Sequence, residues 1–145
     1  MKTLMFIVLA IGLVSVAEAQ DISQNEVPSV VLNEFQSKYP KATDVEWNLS
    51  SDLYQVEFEV DRKDHDLWID KSGAIKKQKI DIPQAQLPDV IKQKIGSEFK
   101  GYQIDDIDRI EEDGKVSFLV DLDGKVDDRE VLFTEDGKIQ SNIVD

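Results

Sequence analysis

The chain of 145 residues holds one histidine and no cysteine, and that inventory restricts the chemistry before any element is drawn. His65 sits in the charged run Asp61-Arg62-Lys63-Asp64-His65-Asp66, which reads as a turn. There the imidazole would be a solvated group titrating near neutrality. A Ser–His–Asp relay needs a serine presented on rigid structure, and no nucleophile-elbow pattern occurs. Zinc favours His and Cys ligands, which one imidazole among carboxylates does not match. Gly-rich phosphate loops are absent as well. The sequence points to a protein that is not an enzyme.

Hard oxygen ligands, by contrast, are plentiful. Asp121-Leu122-Asp123-Gly124-Lys125-Val126-Asp127-Asp128 gathers carboxylates around a glycine turn, and calcium takes about 6–8 oxygens at ~2.3–2.6 Å. Asp121, Asp123, Asp127 and Asp128 are the candidate ligands. The run is not an EF-hand: Lys125 takes a ligand position, Gly124 comes too early, and Leu132 stands where the bidentate Glu belongs. A second acidic run holds Asp105, Asp106, Asp108, Glu111, Glu112 and Asp113. Ordinary Asp-Gly hairpins with solvated acids account for the same residues. The expectation is no cofactor, with calcium as the alternative.

Recognition of another protein needs an exposed face, and strand phase supplies a candidate. Tyr54, Val56, Phe58 and Val60 alternate with Gln55, Glu57, Glu59 and Asp61, as in an antiparallel sheet covered on one side only. If the apolar set faces inward, Gln55, Glu57, Glu59 and Trp68 share the open face. In the later strands Ser117, Leu119, Asp121 and Leu132 take that phase. Trp68, Leu119 and Leu132 then stand as apolar groups on an acidic surface, and an exposed Trp is a common interface anchor. An indole lying along the sheet as cover for its neighbours would satisfy the same pattern. Trp47 shares its phase with Val45 and is expected in the core.

The elements that position these residues repeat. Val27, Val31, Phe35 and Tyr39 recur every four residues, and Leu87, Ile91, Ile95 and Phe99 do so about sixty residues later. Pro28 and Pro88 precede the two helices, expected over 28–38 and 88–100. Strands are expected over 44–49, 53–61 and 66–70, with a fourth carrying Ile75, Ile80 and Ile82. Pro83 to Gln86 links to a second set: a strand with Ile104, Ile107 and Ile110, one alternating from Val116 to Leu122, one with Val131 and Phe133, and a last with Ile139, Ile143 and Val144. Asp113-Gly114, Asp123-Gly124 and Asp136-Gly137 are hairpin signals, where glycine accepts a positive φ. The fold class is α+β: two tandem helix-plus-four-strand repeats, 27–82 and 87–145, forming one antiparallel sheet with helices on one face and a shared core.

Residues 1–19 read as a signal peptide. Lys2 precedes an apolar run from Leu4 to Val16, and Ala17-Glu18-Ala19 has the small-x-small form of a cleavage site. That run falls short of the ~20 residues a membrane span needs. Gln20 to Glu26 lacks periodicity and is expected as a flexible leader, before a single domain over 27–145. The formal charge of −13 repels phosphates and anionic lipid, which argues against nucleic acid or membrane partners. A periplasmic or secreted protein, monomeric or weakly associating, with another exported protein as its partner, is the expected setting.

The run Pro28-x-x-Val31-x-x-x-Phe35-x-x-x-Tyr39-Pro40-x-Ala42-x-x-Val45-x-Trp47 resembles the PepSY-like, β-lactamase-inhibitor-like periplasmic proteins of Bacteroidetes. Trp68-Ile69-Asp70-x-x-Gly73 is similar to that family's turn into its fourth strand. The resemblance implies export, a fold of tandem helix-plus-sheet units, and inhibition or binding of another protein, with no catalytic residues to transfer. In the second copy Lys100 replaces Pro40 and Ile107 replaces Trp47, so the resemblance favours the first copy as the carrier of function.

Overall fold

The structure, a computed structural model, describes residues 19–144. The signal peptide expected over residues 1–19 lies outside them except for its last residue. Nine strands form one antiparallel sheet in strict sequence order: β1 (Gln20–Ile22), β2 (Thr43–Ser50), β3 (Leu53–Val60), β4 (Lys63–Asp70), β5 (Ile75–Asp81), β6 (Gln103–Glu112), β7 (Lys115–Asp123), β8 (Arg129–Thr134) and β9 (Ile139–Val144). Helix α1 (Ser29–Lys38) lies between β1 and β2, and α2 (Asp89–Glu98) between β5 and β6.

Each helix is short, and its stability comes from the face it buries. Val31 and Phe35 of α1, and Ile91 and Ile95 of α2, are the buried positions at helical spacing. Pro28 and Pro88 are the N-caps, whose carbonyls accept the first helical N–H groups. Tyr39 and Phe99 close the helices, their N–H groups donating to Phe35 and Ile95.

Strand register places both helices on the same side. Trp47 pairs with Val56 and Val56 with Leu67, and all three join Val31 and Phe35 in one cluster. Ile107 pairs with Val120 and Val120 with Val131, and these join Ile91 and Ile95 in another. The α+β class and the one-sided helix layer stand. The shared core does not: there are two separate clusters. Where β5 meets β6, the inward phase is held by Gln78 opposite Glu111 and by Ile80 opposite Arg109. Gln78 Nε2 and Arg109 Nη1 both donate to Glu111 Oε2, at 3.1 and 3.2 Å. A polar seam therefore divides the apolar layer.

Two further expectations are corrected. Gln20–Glu26, read as a flexible leader, carries strand β1, paired with β2 from Gln20–Leu49 to Ile22–Trp47. It also carries a single 3-10 turn in which the Ser23 N–H donates to Glu26 Oε2 at 2.8 Å. His65 does not sit in a turn. The turn is only Asp61-Arg62, both at positive φ, and β4 already starts at Lys63. His65 is half-buried on the helix side, stacked on Phe58 at 5.1 Å and 5.8 Å from the Tyr39 ring.

Candidate binding face

The side of the sheet away from the helices carries the candidate residues, because alternate residues of every paired strand must point there. Register assembles it row by row. Gln55 lies opposite Trp68 and Trp68 opposite Lys77. Glu57 faces Asp66, Asp66 faces Lys79, and Lys79 faces Ile110. Asp108, Leu119, Leu132 and Ser141 make one row across β6 to β9, and Asp106, Asp121, Glu130 and Ile143 make the next.

The six expected partner-binding residues, Trp68, Gln55, Glu57, Glu59, Leu119 and Leu132, therefore share this face, though not as one patch. Trp68 stands on β4 and Leu119 on β7, three strands or about 14 Å apart at the usual strand spacing. Between them runs a cationic line on β5. Lys79 Nζ is 2.8 Å from Asp66 and 3.6 Å from Asp108. Burial lowers the Lys79 pKa, but the two carboxylates outweigh it and the net shift is upward. Lys77 Nζ lies 4.8 Å over the Trp68 ring, so the indole is half-covered by its neighbour. Around this line burial raises the pKa of Glu57, with Asp66 and Glu46 adding to the shift, and burial also raises that of Asp108.

Sequence reasoning placed Ile110 on its strand without a phase. In the structure it is half-buried on the open face, diagonal to Leu119. The two-residue Asp113-Gly114 turn was the available signal, because it fixes Glu112 opposite Lys115 and hence Ile110 opposite Ser117. Ile110, Ser117, Leu132 and Thr134 help line a shallow groove of about 730 Å³, bordered by Lys77 and Glu112.

The four candidate calcium ligands are spread along the end of β7 and the following loop. Asp121 points to the open face beside Asp106 and Glu130. Asp123 is exposed. Asp127 accepts a hydrogen bond from the Tyr102 hydroxyl and pairs with Arg129 Nη2 at 2.9 Å, and these partners hold its carboxyl below the ordinary range. Asp128 accepts the Gly124 N–H at 3.1 Å. Among the described residues, no three His, Asp or Glu side chains are grouped so as to hold a metal ion. The Asp123-Gly124 hairpin reading also changes. Gly124 is not at positive φ, and glycine is needed there because an added Cβ would stand 2.2 Å from the Asp127 carbonyl oxygen.

An antiparallel sheet with helices on one face and an uncovered, charged opposite face defines a class of α+β protein. The chain belongs to the family described as "Putative beta-lactamase-inhibitor-like, PepSY-like", whose model matches residues 14–77 and 52–141. Solved structures share the fold. A DUF2874 family protein from Bacteroides uniformis superposes with a TM-score of 0.71 at 19% identity, over 81% of this chain and 88% of its own. A protein described as periplasmic, from Bacteroides eggerthii, gives 0.72 at 15% identity over 81% and 88%. A BLIP-like protein from Bacteroides fragilis gives 0.64 at 16% identity over 81% and 85%. No curated protein matches the sequence. Among the described residues no helix is long and apolar enough to cross a membrane.

Proposed function

We propose that this protein is an exported, non-catalytic binding module that engages another periplasmic or secreted protein through its open sheet face, as an inhibitor or an adaptor. The observation that carries the reading is the gathering of Ile110, Leu119 and Leu132 on the one sheet face that no helix covers. These half-buried side chains give an uncovered sheet face an apolar strip on which a partner can pack. The family description and the name of the BLIP-like neighbour agree with an inhibitory role. The periplasmic neighbour agrees with export after cleavage near Ala19. We also read the chain as two tandem helix-plus-four-strand units. Support comes from the matching element order and from register breaks at Thr43–Glu46 and Ile104–Asp106, each in the first long strand of its half.

The test is cross-linking capture from periplasmic extract with the wild-type chain, Trp68→Ala, and the double variant Leu119→Ala plus Leu132→Ala. Each variant should keep its melting temperature within a few degrees, and the double variant should lose the captured protein. Capture unchanged in both variants would sink the reading. Calcium is tested in the same preparation. No rise in melting temperature is expected on adding it, since Asp127 and Asp128 already serve the loop. A rise abolished by Asp121→Asn plus Asp123→Asn would restore calcium as a ligand.

A further inference from the structure

The two edges of the sheet are guarded very differently. Strand β1 offers three residues and includes Asp21. Strand β9 offers six residues, Ile-Gln-Ser-Asn-Ile-Val, with no charge and no proline, in a chain of net charge −13. Proteins normally blunt an exposed edge with lysine, proline, brevity or a cover, because its outward N–H and C=O groups template a new strand. Here none of these is used, and the one irregularity, a register shift opposite Leu132 and Phe133, leaves residues 141–144 paired with β8 without a break. Ile143 and Val144 are each 53% exposed at that edge. The open-face rows also run out to it: Leu132 lies opposite Ser141, and Glu130 opposite Ile143.

We infer that β9 is the docking edge, and that it accepts an extended segment of the partner protein as a tenth strand. The inference rests on the binding reading above and deepens it. The chemistry of the segment follows from what its open-face residues would meet. Opposite Ile143 the row continues inward to Glu130, Asp121 and Asp106. A Lys or Arg there lays its alkyl stem on Ile143 and carries its charge toward Glu130. Two residues along, the row begins with the small Ser141 and continues to Leu132 on the next strand, so a large apolar side chain can lean across Ser141 toward Leu132. The occupant is thus a strand whose open-face residues alternate basic and apolar. Main-chain pairing supplies affinity and the alternate side chains supply selectivity. A second copy of this chain is disfavoured, because it would bring a second −13 charge against the Glu130 row.

The probe is the peptide acetyl-Thr-Lys-Thr-Phe-Thr-Lys-Thr-amide, titrated by NMR into the full chain. A control peptide keeps the charges but has Pro on either side of Phe, which removes the ladder donors. The first peptide should slow hydrogen exchange in β9, and the proline peptide should bind at least tenfold more weakly. Ile143→Lys should weaken the first peptide at least tenfold. Gln36→Lys, an identical charge change on the exposed side of α1, should not. Equal binding of both peptides without β9 protection would mean surface electrostatics only and overturn the inference. So would a dimer in sedimentation that Ile143→Lys dissolves, since the occupant would then be a second copy. If captured partner is lost in the Leu119/Leu132 variant yet unaffected by Ile143→Lys, the face reading stands and strand addition falls.

Discussion

The half of the chain from α1 to β5 and the half from α2 to β9 share an element order, one helix and then four strands, and use it differently. Under α1 the cluster is aromatic: the Phe35 ring meets Trp47 at 5.4 Å and Phe58 at 4.9 Å, both edge-on, with Tyr39 and His65 closing the stack. Under α2 it is mostly aliphatic around Phe99, Phe118 and Phe133. On the opposite side the contrast reverses. The first half shows Gln55, Glu57 and Glu59 with Leu53 and one indole under Lys77, whereas the second shows four apolar groups, Ile110, Leu119, Leu132 and Ile143, among Asp106, Asp108, Asp121 and Glu130. The same scaffold has placed its aromatic mass inside one unit and its apolar surface outside the other. The second half is therefore the better candidate for recognition, contrary to what the Tyr-Pro–Trp resemblance favours.

The largest effects should come from breaking each core in turn. Phe58→Ala and Phe133→Ala both remove a buried ring, 4% and 0% exposed, and each should cost about 3–5 kcal/mol in urea unfolding. The polar seam of Gln78, Glu111 and Arg109 separates the two clusters along most of the β5–β6 join, with Ile80 opposite His65 as the apolar residue beside it. Amide protection should therefore fall first in the half that carries the substitution. Uniform loss across all nine strands would show that the ladder, rather than the side-chain layer, sets the cooperative unit.

Much of this plan was legible because burial on one side locks strand phase. A one-residue slip in β3 would move Tyr54, Val56, Phe58 and Val60 to water together, so the alternation could be read with confidence from neighbours alone. The helices were legible for the same reason, at their own period. What escaped depends on non-local pairing. Strand β1 has no pattern of its own and exists through its register with β2. Lys63 to Asp66 carry no apolar alternation, so His65 reads locally as a turn residue, and only its cross-strand stacking on Phe58 places it in β4. The split core rests on β5 pairing with β6 across the whole of α2, which no local window contains. Ile143 escaped because the register shift between Leu132 and Phe133 resets the phase of β9.

The connections before the third sheet hairpin of each half sharpen the comparison at a smaller scale. Asp61-Arg62 joins β3 to β4 directly, whereas β7 and β8 are joined through residues 124–128. That longer loop is held by Tyr102, Asp127 and Arg129, a network the first half lacks. Gly124→Ala would force a Cβ against the Asp127 carbonyl and the Tyr102 ring, at 2.2 and 2.6 Å. The expected cost is about 1–3 kcal/mol, with the Tyr102 and Arg129 side-chain resonances shifted and those around Asp61 unchanged. A silent substitution would show that the loop gives way freely and that the network is incidental.

The smallest effect distinguishes the halves by pH, because the chain's one histidine lies in the aromatic cluster. Burial holds the His65 pKa below its usual value, Lys63 adds to the shift, and Asp64, Asp66 and Asp81 oppose it. Its Nδ1 is enclosed without a hydrogen-bond partner among the described residues. An unfolded histidine takes its proton near pH 6.5, before the folded one does. The histidine's contribution is therefore fully present above that pH and lost as pH falls from about 6.5 through the lower folded value. Glu57, Asp81 and Asp108, whose pKa values are raised in the fold, act in the opposite sense at lower pH. The readout is thus the difference between wild type and His65→Gln in unfolding midpoint from pH 7.5 to 5. Acidification across that range should cost the wild type more than the variant, and protection should fall around Tyr39 and Phe58 but not around Phe133. Parallel curves would mean that the imidazole takes its proton in the fold as readily as in water, and that the stack on Phe58 tolerates the charge.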